Sequence, residues 1–299
     1  MTDHDHPYKL LFSHPEMVRD LLLSFVKEDW VSELDLSTLE KANSSFVSDD
    51  LREREGDVVW RVQWAGKCLY VYILIEFQSR SDPFMAVRIM TYIGLLYQDL
   101  VRTGKVSAGD KLPPVLPLVL YNGSPLWTAA QNVAELIEAV PGSLAKYQPH
   151  LQYLLIDEGR YRDSDLEPVR NAVSALFRLE KSRNPEDIRA MLQLLAGWLQ
   201  APEQSSLRRA FTVWFARSFF PARVPGVSFP EFHDLQEVNA MLSETVVEWT
   251  KTWKEEGIKE GERKATLKIA KSLLSAGIPI EKIVELTELP QEEIEKLKI

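Results

Sequence analysis

The chain has 299 residues, of which 45% are hydrophobic and 26% are charged, and its formal net charge at pH 7 is −9. These values are ordinary for a globular protein, while the acidic balance argues against a protein that coats nucleic acid nonspecifically. A single cysteine, Cys68, excludes an intramolecular disulfide, and there is no signal-peptide pattern or apolar stretch of about 18 residues. We therefore expect a cytoplasmic protein with no membrane partner.

The first predicted elements precede the strongest strand pattern of the chain. Residues 1–6 are polar and are predicted to be disordered, whereas Pro15–Val26 has apolar residues at helical spacing and is predicted to form a helix. A short edge strand is predicted at residues 44–48, and it leads into the strand pattern of residues 57–78.

Residues 57–78 are predicted to form a β-hairpin. Two runs rich in Val, Ile, Tyr and Trp flank the pair Gly66-Lys67, which suits a two-residue turn. With the turn at that pair, facing residues have numbers that sum to 133, so Val58 faces Ile75. One face of the hairpin is then apolar throughout.

The other face of the predicted hairpin carries two carboxylates. The register places Asp57 opposite Glu76, and strand alternation adds Gln78 to the same face. Like charges set directly opposite each other destabilise a sheet, which indicates a cation between them. The alternative is that Asp57 lies on a solvated edge beside Arg52 and Arg54. Against this, Glu76 ends an apolar run, where burying an unpaired carboxylate is costly.

The elements after the hairpin predict a mixed α/β fold. A helix is predicted at 82–103, a buried strand at 115–121, a further strand at 151–156, and nearly continuous helix at 164–220. The order of helix, three strands, helix and strand favours a mixed sheet with helices on both faces.

The C-terminal part is predicted to be a helical module. A segment rich in Pro and Gly at 221–232 separates it from the rest, and its last two helices begin at Pro279 and Pro290. The spacing of these helices is similar to that of a helix-turn-helix. Residues 279–299, however, hold three Lys and six Glu, and this negative charge argues against binding to DNA. We therefore expect these helices to mediate homo-oligomerisation or partner binding rather than to read DNA.

Three stretches of the chain are informative when taken together: LIEFQSRSDPFMAVRIMTY, PVLPLVLYNG followed by Trp127, and the C-terminal run GIKEGERK. These motifs resemble the Rpn (recombination-promoting nuclease) or YhgA-like putative transposase family, and the resemblance covers roughly residues 6–220. The family belongs to the PD-(D/E)XK nuclease superfamily. The resemblance thus implies a restriction-endonuclease-like mixed sheet flanked by helices, with a helical C-terminal extension. The domains expected are a nuclease core at 1–160, its helical completion at 161–222, and the C-terminal module at 231–299.

The resemblance also implies the roles of the site residues. Asp57 and Glu76 would bind a divalent cation together with the carbonyl of Phe77, and Mg²⁺ is expected, with Mn²⁺ as the alternative. Gln78 would be a catalytic residue that orients water or phosphate, in the place where the superfamily normally has Lys. An amide does not titrate, so proton transfer is left unassigned.

Two helix residues are candidates for binding the substrate. Arg88 and Tyr92 lie four residues apart and so share a helix face. The resemblance implies that Arg88 contacts phosphate and that Tyr92 stacks on or supports the sugar-phosphate chain. The structural alternative is an Arg in an ion pair and a Tyr in the core. Residues 121–123 end a buried strand, and they border the site or form a plain turn.

The function implied is a Mg²⁺-dependent DNA endonuclease of low sequence specificity, linked to recombination or mobile elements. One alternative is a nuclease-fold binding or regulatory protein with weak or no catalytic activity. A third is a nuclease that acts on RNA. The absence of GxxxxGK[ST], GxSxG and HExxH motifs argues against phosphate-loop, serine-hydrolase and zinc-protease chemistry.

Overall fold

A computed structural model gives the fold of most of the chain. It describes residues 5–42, 58–64, 70–139, 141–223, 228–242, 265–275, 278–287, 289–290 and 293–294. The chain forms two compact units, Met1–Ala240 and Met241–Ile299.

The first unit is built on a five-stranded mixed sheet. The strands are β1 Leu34–Lys41, β2 Val58–Trp64, β3 Tyr70–Gln78, β4 Val115–Tyr121 and β5 Leu154–Asp157. They lie in the order β1-β2-β3-β4-β5, with antiparallel pairing up to β3 and parallel pairing from β3 to β5. The predicted mixed α/β sheet is therefore confirmed.

Helices precede, interrupt and follow the strands. They are α1 Asp5–Leu11, α2 Pro15–Phe25, α3 Met85–Arg102, α4 Asp163–Leu166, α5 Ala172–Lys181, α6 Pro185–Trp198, α7 Ser205–Trp214, α8 Phe220–Arg223 and α9 Ile280–Thr287. A π-helical turn, Phe215–Phe219, joins α7 to α8. The predicted helical stretch after β5 is confirmed, and so is the helix that follows Pro279.

The register of β2 against β3 is the predicted one. The observed pairs run from Val58 with Ile75 to Gln63 with Tyr70, and each pair of numbers sums to 133. The turn at Gly66-Lys67 lies outside the described residues. So does Asp57, which is the next residue in this series.

Helices cover both faces of the sheet. On one face the ring of Phe77 lies 6.0 Å from that of Tyr8 and 5.4 Å from that of Phe12, and the indole of Trp60 donates to the carbonyl of Phe12. On the other face α3 packs its buried stripe against Val59, Val119 and Tyr121, and the stripe includes Met85, Ile89, Ile93 and Leu96. Because both faces are covered, functional groups of the sheet collect at its edges.

Four sequence expectations need correction or fall outside the description. Helix α1 begins at Asp5, within the segment predicted to be disordered, because its apolar side chains are buried against the sheet. The strand before the hairpin is β1, whereas the predicted strand at 44–48 lies outside the described residues. Helix α3 begins at Met85 rather than at residue 82, and β5 begins at Leu154 rather than at residue 151.

The second unit has a small apolar core of its own. Residues 265–275 are helical, and they contribute Ala270 to a cluster with Ile283, Leu289 and Ile294. Among the described residues, no helix is both long and apolar enough to cross a membrane. The predicted domain limits at 160, 222 and 231 stay predictions.

Candidate functional site

The carboxyl ends of β3, β4 and β5 form one edge of the sheet, which we call the carboxyl edge. Gln78 pairs in register with Tyr121, and Tyr121 pairs with Asp157. Strand β2 starts at the same edge with Val58, since it runs antiparallel to β3. Carboxyl ends of parallel strands are where α/β proteins usually place functional groups.

Three of the four predicted metal-binding and catalytic residues, Glu76, Phe77 and Gln78, have their backbones at this edge. The backbones of Glu76, Phe77 and Gln78 pair with β4, and Gln78 is partly buried. The ring of Phe77 is buried against α1, so only its backbone carbonyl is available as a ligand. Asp57 and the side chain of Glu76 lie outside the described part of the structure, and their facing arrangement stays a prediction.

Arg88 and Tyr92 are brought together on α3, as predicted. Nη2 of Arg88 donates to the Tyr92 hydroxyl at 3.4 Å, and Nη1 forms an ion pair with Oδ2 of Asp82 at 3.0 Å. Tyr92 is only 2% exposed and belongs to the core beneath α3. In this arrangement Tyr92 supports Arg88 and does not present a ring to a ligand.

Asp82 is a site residue that the sequence analysis missed. Its Oδ1 accepts a hydrogen bond from the backbone of Phe84 at 2.9 Å, while its Oδ2 binds Arg88. An Asp side chain that accepts from the backbone two residues on forms an Asx turn, and an Asp just before a predicted helix is a sequence signal for it. Here the same carboxylate also fixes the guanidinium of Arg88.

The loop after β4 closes against the end of β3. The backbone N–H of Asn122 donates to the carbonyl of Gln78 at 3.1 Å. At Gly123 an added Cβ would lie 2.4 Å from the carbonyl oxygen of Ser79 and 2.2 Å from the hydroxyl of Tyr121. Residues 121–123 therefore lie close against the end of β3 and border Gln78.

Trp127 holds the far side of this loop. Its indole N–H donates to the carbonyl of Ala129 and to the hydroxyl of Tyr153, and its ring packs edge-on against Tyr121 at 5.0 Å. The hydroxyl of Ser81 also accepts from the backbone of Ala129 at 3.2 Å, which ties the loop after β4 to the loop before α3. The two loops that flank Gln78 thus support each other.

Comparison with known proteins identifies the family. The family model described as "Putative transposase, YhgA-like" matches residues 2–209, which is more than half of the chain. The chain belongs to this family.

Similar proteins carry nuclease names. The YhgA-like chain is 29% identical to recombination-promoting nuclease RpnA of Escherichia coli K12 over 98% of this chain and 96% of the relative. It is 34% identical to recombination-promoting nuclease RpnD of Escherichia coli O157:H7, over 41% of this chain and 46% of that protein. It is 33% identical to a protein of Escherichia coli K12 named inactive recombination-promoting nuclease-like protein RpnE, over 41% of this chain and 40% of that protein. No solved structure matches this chain.

The described part of this YhgA-like protein contains no cluster of three His, Cys, Asp or Glu side chains that could hold a metal ion. Asp57 and the side chain of Glu76 are outside that part. The predicted ligand set therefore stays a prediction.

A buried acid behind the carboxyl edge was missed by the sequence analysis. Glu158 follows β5 and is 2% exposed, and the hydroxyl of Tyr8 donates to its Oε1 at 3.2 Å. Burial raises the pKa of Glu158 well above 4.5, the charges of Glu180 and Asp157 raise it further, and Lys181 opposes them. Because Tyr8 also packs on Phe77, this acid is linked to the strand that carries Gln78.

Glu158 is expected to make the stability of this YhgA-like protein depend on pH. The folded state holds the proton of the Glu158 carboxyl more tightly than the unfolded chain does. The stabilisation that this proton gives to the folded state is therefore full below the unfolded pKa of about 4.5, and it is lost as the pH rises through the folded pKa. Glu158→Gln has no such proton, so its free energy of unfolding should fall less over that interval. Denaturant unfolding at a series of pH values measures this. Equal pH dependence in the variant and the wild type would contradict it, and Glu203→Gln, an exposed site, is the control.

Proposed function

We propose that this YhgA-like protein is a Mg²⁺-dependent DNA endonuclease of low sequence specificity that acts in recombination. The observation that carries the proposal is the β2–β3 register, in which Val58 pairs with Ile75. If the same register continues, Asp57 and Glu76 are the next facing pair. The match to RpnA, named a recombination-promoting nuclease, over nearly its whole length supports the same function.

Hard oxygen ligands are the basis for proposing Mg²⁺. Asp57, Glu76 and the backbone carbonyl of Phe77 would hold the ion, and this set of two carboxylates and one carbonyl suits Mg²⁺ or Mn²⁺. When bound, such an ion supplies a Lewis acid for the phosphate and lowers the pKa of bound water. The positive ion would also attract both negatively charged carboxylates, which offsets the repulsion between them.

Gln78 is proposed to orient the attacking water or a phosphate oxygen. Its amide both donates and accepts hydrogen bonds but does not take up a proton at neutral pH. The contact from Asn122 holds the backbone of Gln78 at the carboxyl edge, which fixes the origin of the side chain. This positioning role accounts for an amide where the superfamily normally has a Lys.

Arg88 is proposed to contact the phosphate backbone of the substrate. Its guanidinium is charged at all relevant pH values and is held by Asp82 and Tyr92. A cation that is fixed before binding loses less entropy when it contacts phosphate. Tyr92 then acts by positioning Arg88.

A second candidate function is a nuclease-fold binding or regulatory protein with weak or no cleavage. Two observations favour it: RpnE is named as inactive, and Gln78 stands where the superfamily normally has a Lys. Cleavage of RNA rather than DNA is a variant of the first function. For either candidate we propose a cytoplasmic homo-oligomer assembled through the C-terminal helices, on which Ile269 and Leu286 are exposed.

Stabilisation by metal tests the proposed site independently of cleavage. Mg²⁺ at about 100 times its Kd is expected to add about 2.7 kcal/mol to the free energy of unfolding of the wild type. Asp57→Ala removes a ligand and should lose most of this increment. Denaturant unfolding with and without Mg²⁺ measures it, and Asp187→Ala, at an exposed acid on α6, should keep it.

The outcomes separate the candidates. A wild type without the increment would contradict the metal site. An increment in the wild type without cleavage of any nucleic acid would favour the binding or regulatory protein.

A further inference from the structure

The start of α3 exposes apolar side chains beside the candidate site. Phe84, which immediately precedes the helix, is 64% exposed, and Val87 in its first turn is 37% exposed. Leu126, on the loop that Ser81 ties to this region, is 67% exposed. A single exposed apolar residue is ordinary, but three around one junction favour a binding surface.

The backbone that carries the Phe84 ring is firmly held. Oδ1 of Asp82 accepts from the N–H of Phe84, and Oδ2 of the same carboxylate binds Arg88. The N–H groups of Val87 and Arg88 both donate to the carbonyl of Phe84, so the ring is attached at a closed first turn. An aromatic ring attached to such a fixed backbone loses little conformational entropy when a ligand stacks on it.

Two arginines, Arg80 and Arg88, lie within four residues of Phe84 along the chain. Phe84 immediately precedes α3 and Arg88 follows four residues later on the helix, so the proposed phosphate contact is about one turn away. Arg80 is exposed in the loop before the helix and forms no ion pair with a described residue. An aromatic side chain next to cations is the arrangement by which proteins hold single-stranded nucleic acid.

We propose that Phe84 and Val87 form a platform on which an unpaired nucleobase of the bound strand stacks, next to the candidate site. This rests on the proposed nuclease function and specifies its substrate. A base within a continuous duplex is already stacked on its neighbours, so the platform gains contacts only when a base is free. The protein therefore prefers single strands and duplexes with an unpaired base over continuous duplex.

Binding to three labelled oligonucleotides tests the platform. Each is about 20 nucleotides long, longer than the ~4–16 nucleotides of typical single-strand sites. They are a single strand, a continuous duplex and a duplex with one unpaired base, and titrations in EDTA prevent metal-dependent cleavage. Phe84→Ala is expected to weaken binding of the single strand and of the unpaired-base duplex by about 5- to 150-fold, because stacking on an aromatic is worth about 1–3 kcal/mol per base.

Two variants serve as controls. Phe84→Tyr keeps the ring and should bind all three oligonucleotides as the wild type does. Leu112→Ala removes an apolar side chain that is 46% exposed but lies just before β4, at the opposite end of the sheet from Gln78. It should leave all three affinities unchanged.

Several results would overturn the platform. An equal loss for all three oligonucleotides, or no loss, would mean that Phe84 does not contact a free base. If sedimentation gives a smaller oligomer for Phe84→Ala than for the wild type, the surface is instead a contact with a second copy of the chain. A wild type that binds none of the three would contradict the platform, whereas plasmid cleavage with Mg²⁺ tests the proposed nuclease function separately.

Discussion

Replacing Glu76 with Gln is expected to lower Mg²⁺-dependent cleavage by more than about 100-fold. The change keeps the size of the side chain but removes one of the two negative charges proposed to hold the ion. Changes in the groups that merely orient metal ligands typically cost about 10- to 100-fold, so loss of a ligand's charge should cost more. Initial rates on plasmid DNA at saturating Mg²⁺ measure the effect.

The fold of the Glu76→Gln variant should survive. Glu76 lies within β3, whose backbone pairs with β4, and the substitution leaves that pairing in place. Glu203→Gln is a matched change at an exposed position and should cleave as the wild type does. Full cleavage by Glu76→Gln would show that Glu76 is not a metal ligand. Failure of the variant to fold would show that Glu76 is required for the structure.

Replacing Gly123 with Ala is expected to lower the free energy of unfolding by about 3 kcal/mol, the upper end of the usual cost of overpacking. The added Cβ would lie 2.4 Å from the backbone carbonyl of Ser79, which cannot move without displacing the end of β3. Because Asn122 donates to Gln78, the same displacement should reduce cleavage. Denaturant unfolding and plasmid cleavage measure the two effects.

Gly94 provides the matched control for Gly123. It lies within α3, and an added Cβ would meet nothing within 4 Å. Gly94→Ala should therefore raise the free energy of unfolding by about 0.4–1 kcal/mol, since Ala loses less backbone entropy than Gly in a helix. A similar response to both substitutions would contradict the close approach of Gly123 to Ser79.

The central strands were predicted well because local signals determine them. The apolar run Val115–Tyr121 became β4 with the same bounds. Placing the predicted turn at Gly66-Lys67 led to a predicted register in which facing numbers sum to 133, and the observed pairs from Val58 to Gln63 have that register. The same predicted register placed Glu76 and Gln78 on one face of the hairpin, and the family resemblance then implied their roles.

Other features depend on contacts that the sequence does not reveal. Tyr8 and Glu158 are 150 residues apart and meet only when α1 packs behind the carboxyl edge. Helix α1 is seven residues long, too short to be recognised from periodicity, and it is stabilised by burying Tyr8 and Leu11. The register of β1 shifts between Asp35 and Glu40, which breaks the alternation that marks a strand.

The most direct test of the proposed function is cleavage of supercoiled plasmid by the purified protein. Wild type, Asp57→Ala and an EDTA control are compared at equal protein concentration, with folding checked for both proteins. We predict nicked or linear DNA only for the wild type with Mg²⁺. An intact plasmid with folded wild type and Mg²⁺, or cleavage that persists in Asp57→Ala, would contradict a metal-dependent endonuclease centred on Asp57 and Glu76.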